Sequence, residues 1–361
     1  MAYGTVNADV IGTSVAGSNL GAGNASIMKN RIINGAMVID QRNAGASVTP
    51  TTTGYTLDRW QAVVTQSSKY SVQQNAGAIT PPVGFASYLG ITSLSAYSVA
   101  AGDAFAIAQK IEGFNISDLQ WGTANAKTVT LSAWVRSSLT GTFGGALQNL
   151  DGTRNYPFTY SIPVANTWTQ ISLTIAGDTT GTWNSTNSSG IGINFGLGAG
   201  STYSGTAGAW TATNAYSTTG ATSVVGTSGA TFYITGVQLE VGSSATGFEY
   251  RQYQQELALC QRYFESCFPI GTAPAQSLGS FGKQFFAGSS DGGSLIGTLQ
   301  FVVNKRASPT MTYYNPAAAN ANFGNGGTVV ALNIDSTGFY IYTTTITGSR
   351  TTINWSASAE L

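Results

Sequence analysis

The chain has 361 residues, which favours two domains over a single small core. Only 8% of residues are charged while 42% are hydrophobic and 45 are glycine, against roughly 25% charged in ordinary soluble domains; a core can be buried, and disorder by composition is excluded. Fifteen basic and fifteen acidic residues cancel and histidine is absent, which removes the attraction that dominates nucleic-acid binding and the commonest general base and metal ligand.

Residues 1–29 are small, polar and glycine-punctuated, with no sustained hydrophobic period, and are expected to gain order only from a neighbour. The opening MAYGTVNADV lacks the charged and apolar regions of a signal peptide, so secretion by that route is not expected. No apolar run approaches the ~20 residues of a bilayer span, and no membrane insertion is expected. From 30 to 248 short apolar alternations are separated by Gly, Asn, Asp and Pro, the pattern of a sandwich or barrel.

The clearest predicted strand is 128–136, with Val129, Leu131, Ala133 and Val135 on one face and Thr130, Ser132 and Trp134 on the other. Thr169–Ile175 puts Ile171, Leu173 and Ile175 inward, and 191–197 does the same with Ile191, Ile193, Phe195 and Leu197. In Thr231–Val241 the core face runs through Phe232 and Ile234, then shifts by one residue to Val237, Leu239 and Val241, which predicts a β-bulge at Gly236. The 198–230 stretch is a long Gly/Ser/Thr-rich loop carrying Tyr203, Trp210 and Tyr216, and loops of that length are usually functional or mobile.

A helix is predicted over 249–265, with Tyr253, Leu257, Cys260 and Phe264 forming an apolar stripe and Pro269 ending it. A smaller β region follows over 269–361, with alternation at Leu299, Phe301 and Val303 and again at Ile353, Trp355 and Ala357. The predicted fold class is therefore all-β: a sandwich over 30–248, one amphipathic connecting helix over 249–268 and a C-terminal β domain over 269–361.

Little catalytic chemistry is on offer. Without histidine no Ser-His-Asp or Cys-His arrangement forms, and no phosphate-binding glycine loop precedes a helix. The carboxylates are scattered singly, several in turns, as at Asp151 and Asp291. Asp58 and Glu240 are the better acidic candidates, yet a glycoside hydrolase needs two carboxyls across one cleft. Cys260 and Cys267 fit neither a metal knuckle nor a redox pair and read as packing residues. The expectation is a non-enzyme without cofactor.

Aromatic residues on the outward faces of strands say more. Trp134, with Asn194 and Tyr233 on their own strands, would present rings and amides suited to a sugar, whose C–H face stacks while its hydroxyls are hydrogen-bonded. Trp183, Tyr203, Trp210 and Tyr216 could rim the same groove. The alternative is that these side chains are covered by the 198–230 loop, by the helix or by another subunit, or anchor buried loops.

The segments RIINGAMVIDQRNAG, YTLDRW, VTLSAWVRSS, ANTWTQISLTIAGDTTGTW, ATFYITGVQLEVGSSATGFEYR and ELALCQRYFE, in this order, resemble a family of bacteriophage virion proteins found in marine and freshwater phages, cyanophages included. The resemblance covers about 30–268, and the ending NWSASAEL is similar as well. The central part resembles jelly-roll carbohydrate-binding modules of xylanases and cellulases. The resemblance implies a fibre, spike or capsid-decorating protein of the virion, commonly a homotrimer, assembled in the host cytoplasm with other virion proteins. It leaves open a tail or head fibre binding host surface polysaccharide, a cement protein with no sugar binding, or, least expected, a polysaccharide-cleaving enzyme. Such modules often hold calcium through acidic residues in the last strand; this chain has Thr235 and Gly236 there, with Glu240 nearby, so no tightly held metal is expected. Residues 1–29 are expected to attach the protein to the particle, and the helix to pack between domains or near a three-fold axis.

Overall fold

The computed structural model describes residues 28–281, 286–287, 295–324, 326–343 and 350–361. The attachment segment expected over 1–29 lies, up to residue 27, outside the described residues, as does Asp291.

In chain order the first unit contributes β1 (Gly54–Leu57), β2 (Trp60–Val64), β3 (Tyr70–Gln74), β4 (Leu89–Ser93), β5 (Ala104–Glu112), β6 (Val129–Ser137) and β7 (Gly141–Gln148). There follow β8 (Asn155–Ile162), β9 (Thr169–Ile175), β10 (Ser189–Ala199), the short β11 (Ser204–Gly205) and β12 (Ser217–Thr218), and β13 (Thr231–Val241). A five-stranded sheet in the order β3-β4-β13-β6-β9 faces a six-stranded sheet in the order β1-β2-β5-β10-β7-β8, with all pairs antiparallel. This is the expected jelly-roll sandwich.

Period-two patterning makes it. Val129, Leu131, Ala133 and Val135 of β6 are fully buried, in one core with Ile175 of β9, Ile193 and Phe195 of β10 and Phe105 and Ile107 of β5. Each of the Val, Leu, Ile and Phe side chains contributes about 1.5–3 kcal/mol by leaving water. The β13 bulge falls where the sequence placed it: the register against β6 shifts between Thr235 and Gln238, Gly236 has φ +61°, and Val237 turns inward.

The bulge serves the segment 30–40, which has no regular structure but is stitched to β13. Asn30 donates to the Val237 carbonyl and accepts from the N–H groups of Ile32 and Leu239, while the Val237 N–H donates to the Gly35 carbonyl. Gly35 permits this approach, since a Cβ there would lie 2.2 Å from the Val237 oxygen. Asn34 clamps Ile39 through both N–H and carbonyl, and the Trp60 indole donates to the Asn34 carbonyl. The RIINGAMVID motif is thus a buried scaffold.

The helix is shorter than expected. Helix α1 spans Tyr253–Gln261, and Phe264 lies instead in β14 (Phe264–Ser266). Of the expected stripe, Leu257 and Cys260 are buried against Ile33, Ile39 and Tyr263, whereas Tyr253 is 48% exposed. The helix gives way because Tyr263, Phe264 and Glu265 are claimed by other partners: the Tyr263 hydroxyl donates to Glu112, and β14 pairs with a strand near the C-terminus.

That strand is β21 (Asn354–Ser358), the last after β15 (Phe286–Ala287), β16 (Leu295–Gln300), β17 (Thr310–Tyr314), β18 (Val330–Leu332), β19 (Gly338–Thr343) and β20 (Arg350–Thr351). The C-terminal sheets run β14-β21-β17 and β16-β19-β18, with the pair β15-β20. They close over their own core, in which Leu299, Phe301, Phe323, Phe339, Ile341 and Trp355 meet. Among the described residues no helix is long and apolar enough to cross a membrane.

Candidate functional site

The residues expected to share one groove lie in separate places. Trp134 stands half-buried on the outward face of the five-stranded sheet, near Phe85 at the Gly236 bulge. Tyr233 shares that face but is only 5% exposed, because the 76–88 loop folds over it: Tyr88 packs 5.7 Å away and Trp168 6.4 Å. The Arg136 guanidinium lies 5.5 Å from the Tyr233 ring.

Asn194 is outward on the other sheet yet 2% exposed, its amide donating to the Ala146 carbonyl at 3.4 Å. The cover over that sheet is the 204–218 loop, seated on glycines: a Cβ at Gly144 would lie 2.4 Å from the Thr218 hydroxyl, and one at Gly196 2.6 Å from the Ser217 hydroxyl. Tyr216 in the same loop packs on Val63, Ala106 and Ala108, with Tyr203 at 5.6 Å. The expectation that Asn194 and Tyr233 are open to a ligand is therefore corrected. Strand alternation put both on the outer side, and the chain's own loops enclose them.

Trp183 and Trp210 are brought together at an end of the sandwich. With Trp121 they form an edge-to-face trio at centroid distances of 4.7, 5.2 and 5.4 Å, and Tyr156 joins Trp210 at 5.3 Å. Their indole N–H groups are committed within the chain: Trp121 to the Lys127 carbonyl, Trp210 to the Ala176 carbonyl, Trp183 to Asp178 and the Thr180 carbonyl. Asp178 holds this loop by accepting both arms of Arg154 at 2.7 Å. Burial raises its carboxyl, but the Arg154 fork and the Thr180 N–H outweigh that and hold it below the usual range.

Beside this trio a cleft of about 390 Å³ runs between β8 and β9, the edge strands of the two sheets. Phe158, Leu173 and Ile175 give it apolar walls, Tyr156 a ring, and Thr159, Ser172 and Thr174 hydroxyls. The Thr174 hydroxyl donates to the Ser243 carbonyl, while Ser172 and Thr159 are exposed. The outer backbone edge of β8 beside Tyr156 is already taken, Asn155 pairing with Thr211 and the Pro157 carbonyl accepting the Gly208 N–H, so at that end the cleft offers side chains to a ligand. No ionisable carboxylate or ammonium group lines the cleft. Its chemistry is that of a neutral hydroxylated ligand: an aromatic ring to stack on, and hydroxyls to exchange hydrogen bonds.

Sequence reasoning missed Tyr156, Trp121, Trp168 and Phe85. Only Tyr156 had a usable signal, as the first of the alternating Tyr156, Phe158, Tyr160 and Ile162. The acidic candidates Asp58 and Glu240 do not meet across a cleft. Asp58 accepts from the Gln41 backbone and side-chain N–H groups, each at 2.7 Å, and Glu240 accepts from Gln238 and Thr246. Among the described residues no group of three or more Cys, Asp or Glu gathers as for a metal ion.

No protein-family model and no curated protein matches the chain. Similar solved structures include the enzymatically active domain of tailspike protein 4 of bacteriophage CBA120, 15% identical over 59% of this chain with a TM-score of 0.32; the match spans 22% of that domain's chain. A family 11 carbohydrate-binding module of a cellulosomal cellulase of Clostridium thermocellum is 12% identical over 58% of this chain and 99% of its own, TM-score 0.26. The N-terminal cellulose-binding domain of Cellulomonas fimi β-1,4-glucanase C is 15% identical over 43% of this chain and 78% of its own, TM-score 0.25.

Proposed function

We propose that this chain is a structural protein of a bacteriophage particle, a tail or head fibre that binds host surface glycans without cleaving them. The observation that carries the binding step is the β8–β9 cleft, where Tyr156 lies beside the Thr159, Ser172 and Thr174 hydroxyls and no charged side chain intervenes. A hydrolase would need a pair of carboxyls there, so the cleft's lining supports binding alone. The virion placement is supported by the ordered resemblance from RIINGAMVID to ELALCQRYFE. In this reading residues 1–29 attach the protein to the particle, and the protein works as a homotrimer.

A second reading, a capsid-decorating or cement protein with no sugar binding, is favoured by the enclosure of Tyr233 and Asn194 and the internally satisfied indoles of Trp121, Trp183 and Trp210. Titration of the pure protein with oligosaccharides from host cell walls separates the two. Binding that Tyr156→Ala weakens at least tenfold at a temperature where the variant is still fully folded supports the fibre; no binding to any surface glycan supports the cement protein. Cryo-EM of the particle then locates the density on capsid or tail.

A further inference from the structure

The register of β13, β6 and β9 lays out the outer face of the five-stranded sheet in cross-strand rows. Tyr233 and Arg136 form one row, and Thr235, Trp134 and Gln170 the next. Arg136 and Trp134 are half-buried and Gln170 is exposed. Neighbouring rows on one face lie about 6.8 Å apart, so a single sugar ring with an exocyclic group touches both.

Arg136 stands apart from the other arginines. Among the described side chains those rest on carboxylate or carbonyl oxygens, as Arg154 does on Asp178 and Arg262 on Glu112. Arg136 has no such acceptor; what holds it is the Tyr233 ring, 5.5 Å from the guanidinium. Its Nη1 is closed off from water, whereas Nε and Nη2, equally unpartnered, are not enclosed and face solvent. A guanidinium held against a ring keeps its planar edge free, and two adjacent N–H groups on that edge receive both oxygens of a carboxylate. The Glu240 carboxylate of the same face does not compete, since it lies three rows along, opposite Thr130, and accepts from Gln238 and Thr246.

We propose that these two rows are a site for an acidic sugar, a hexuronate unit of a surface polysaccharide. The ring's C–H face stacks on Trp134, a hydroxyl is hydrogen-bonded by the Gln170 amide, and the carboxylate lies on the Nε–Nη2 edge of Arg136. Charge decides for an acid over a neutral sugar, because a carboxylate supplies the counter-charge that the fold leaves out at Arg136. The site rests on the reading that the protein binds surface glycans, but not on the β8–β9 cleft, with which it shares no residue.

The test is calorimetric titration of the full chain with oligogalacturonate and oligomannuronate, each set against its methyl ester, which keeps the sugar and loses the charge. An acid is expected to bind about tenfold more tightly than its ester, by a margin that shrinks as salt is raised. Arg136→Gln should erase that preference, and Arg136→Lys should keep part of it, a charge without the fork. Gln170→Glu, a change at an exposed position that sets a like charge diagonal to Arg136, should weaken the acid about tenfold and spare the ester. Three results would overturn the site: no binding of either acid, acid and ester bound alike, or a preference that survives both Arg136→Gln and Gln170→Glu. Neutral binding lost through Tyr156→Ala, with no preference for acids, would keep the β8–β9 cleft and remove this site. An acid preference that Arg136→Gln erases and Tyr156→Ala leaves intact would establish this site, whatever becomes of the cleft.

Discussion

Asp58 carries an ionisable group into a place without water, and its consequence is a pH dependence opposite to that of most carboxylates. Burial pushes its carboxyl up to about 7, against the pull of Arg42 and the N–H groups of Gln41, while Glu360 adds to the rise. A folded value above the unfolded one, ordinarily about 3.9, means the folded state holds the proton more tightly. This contribution to stability is complete below about pH 4 and is lost as pH rises through about 7. Asp58→Asn removes the titration while keeping one acceptor for Gln41. Measured by urea denaturation, the wild-type protein should lose about 2 kcal/mol relative to the variant between pH 5 and pH 8. A difference that stays flat over that range would show the carboxylate ionised throughout. Tyr253 and Cys260 feel the same charge, both held upward chiefly by burial and further by Asp58, so neither thiol nor phenol joins the titration in this window.

At the scale of elements, the β13 bulge gives one strand two halves with different neighbours on one edge: β6 pairs along both halves, while on the other edge the first half joins β4 and the second receives the 30–40 segment. Gly236 makes the turn with φ +61°, and a Cβ there would lie 2.6 Å from the Phe85 ring. Gly236→Ala is expected to cost about 1–3 kcal/mol, read as a lower denaturation midpoint, whereas Gly247→Ala, where a Cβ meets nothing within 4 Å, should stay within about 0.5 kcal/mol. This bulge was legible in the sequence because the apolar face of 231–241 slips by one residue at a glycine. The strands β6, β9 and β10 were legible for the same reason, since a two-residue period reports which side of a strand meets the core. That period does not report what lies over the other side. Asn194 and Tyr233 were assigned the correct face and the wrong surroundings, because their cover comes from loops distant in sequence, at Ser217 and at Tyr88. The helix was overextended because Tyr263 and Phe264 keep the apolar spacing while their partners, Glu112 and β21, lie far along the chain. Tyr156 was within reach of the sequence, but its place at the mouth of a cleft depends on β8 and β9 both being edge strands, a property of topology alone.

Across the whole molecule, the sandwich and the C-terminal sheets are tied by a layered stack of charges and rings. The Arg59 guanidinium lies 3.5 Å above the Tyr263 ring and that of Arg42 3.8 Å above the Phe264 ring, and the Glu360 carboxylate bridges both arginines. Arg306 adds bonds from its side chain to the Ala359, Glu360 and Asn187 carbonyls, so the last residues are held from both units. The Arg59 side chain is fully buried and that of Glu360 is 6% exposed, and burial of such a pair is tolerated only while both partners remain. Glu360→Gln leaves a buried guanidinium without its counter-charge and is expected to cost about 3 kcal/mol. Because the bridge spans two separately closed cores, the loss should fall on their coupling: calorimetry should show a single transition for the wild-type protein and, for the variant, a C-terminal transition resolved below that of the sandwich. If Glu360→Gln melts in a single transition within a degree or two of wild type, the units are coupled instead by β14, whose pairing with β21 continues the C-terminal sheet directly from α1. The experiment therefore distinguishes coupling through charge from coupling through backbone. Only the former should weaken with salt, and only modestly, since a pair this far from solvent is poorly screened.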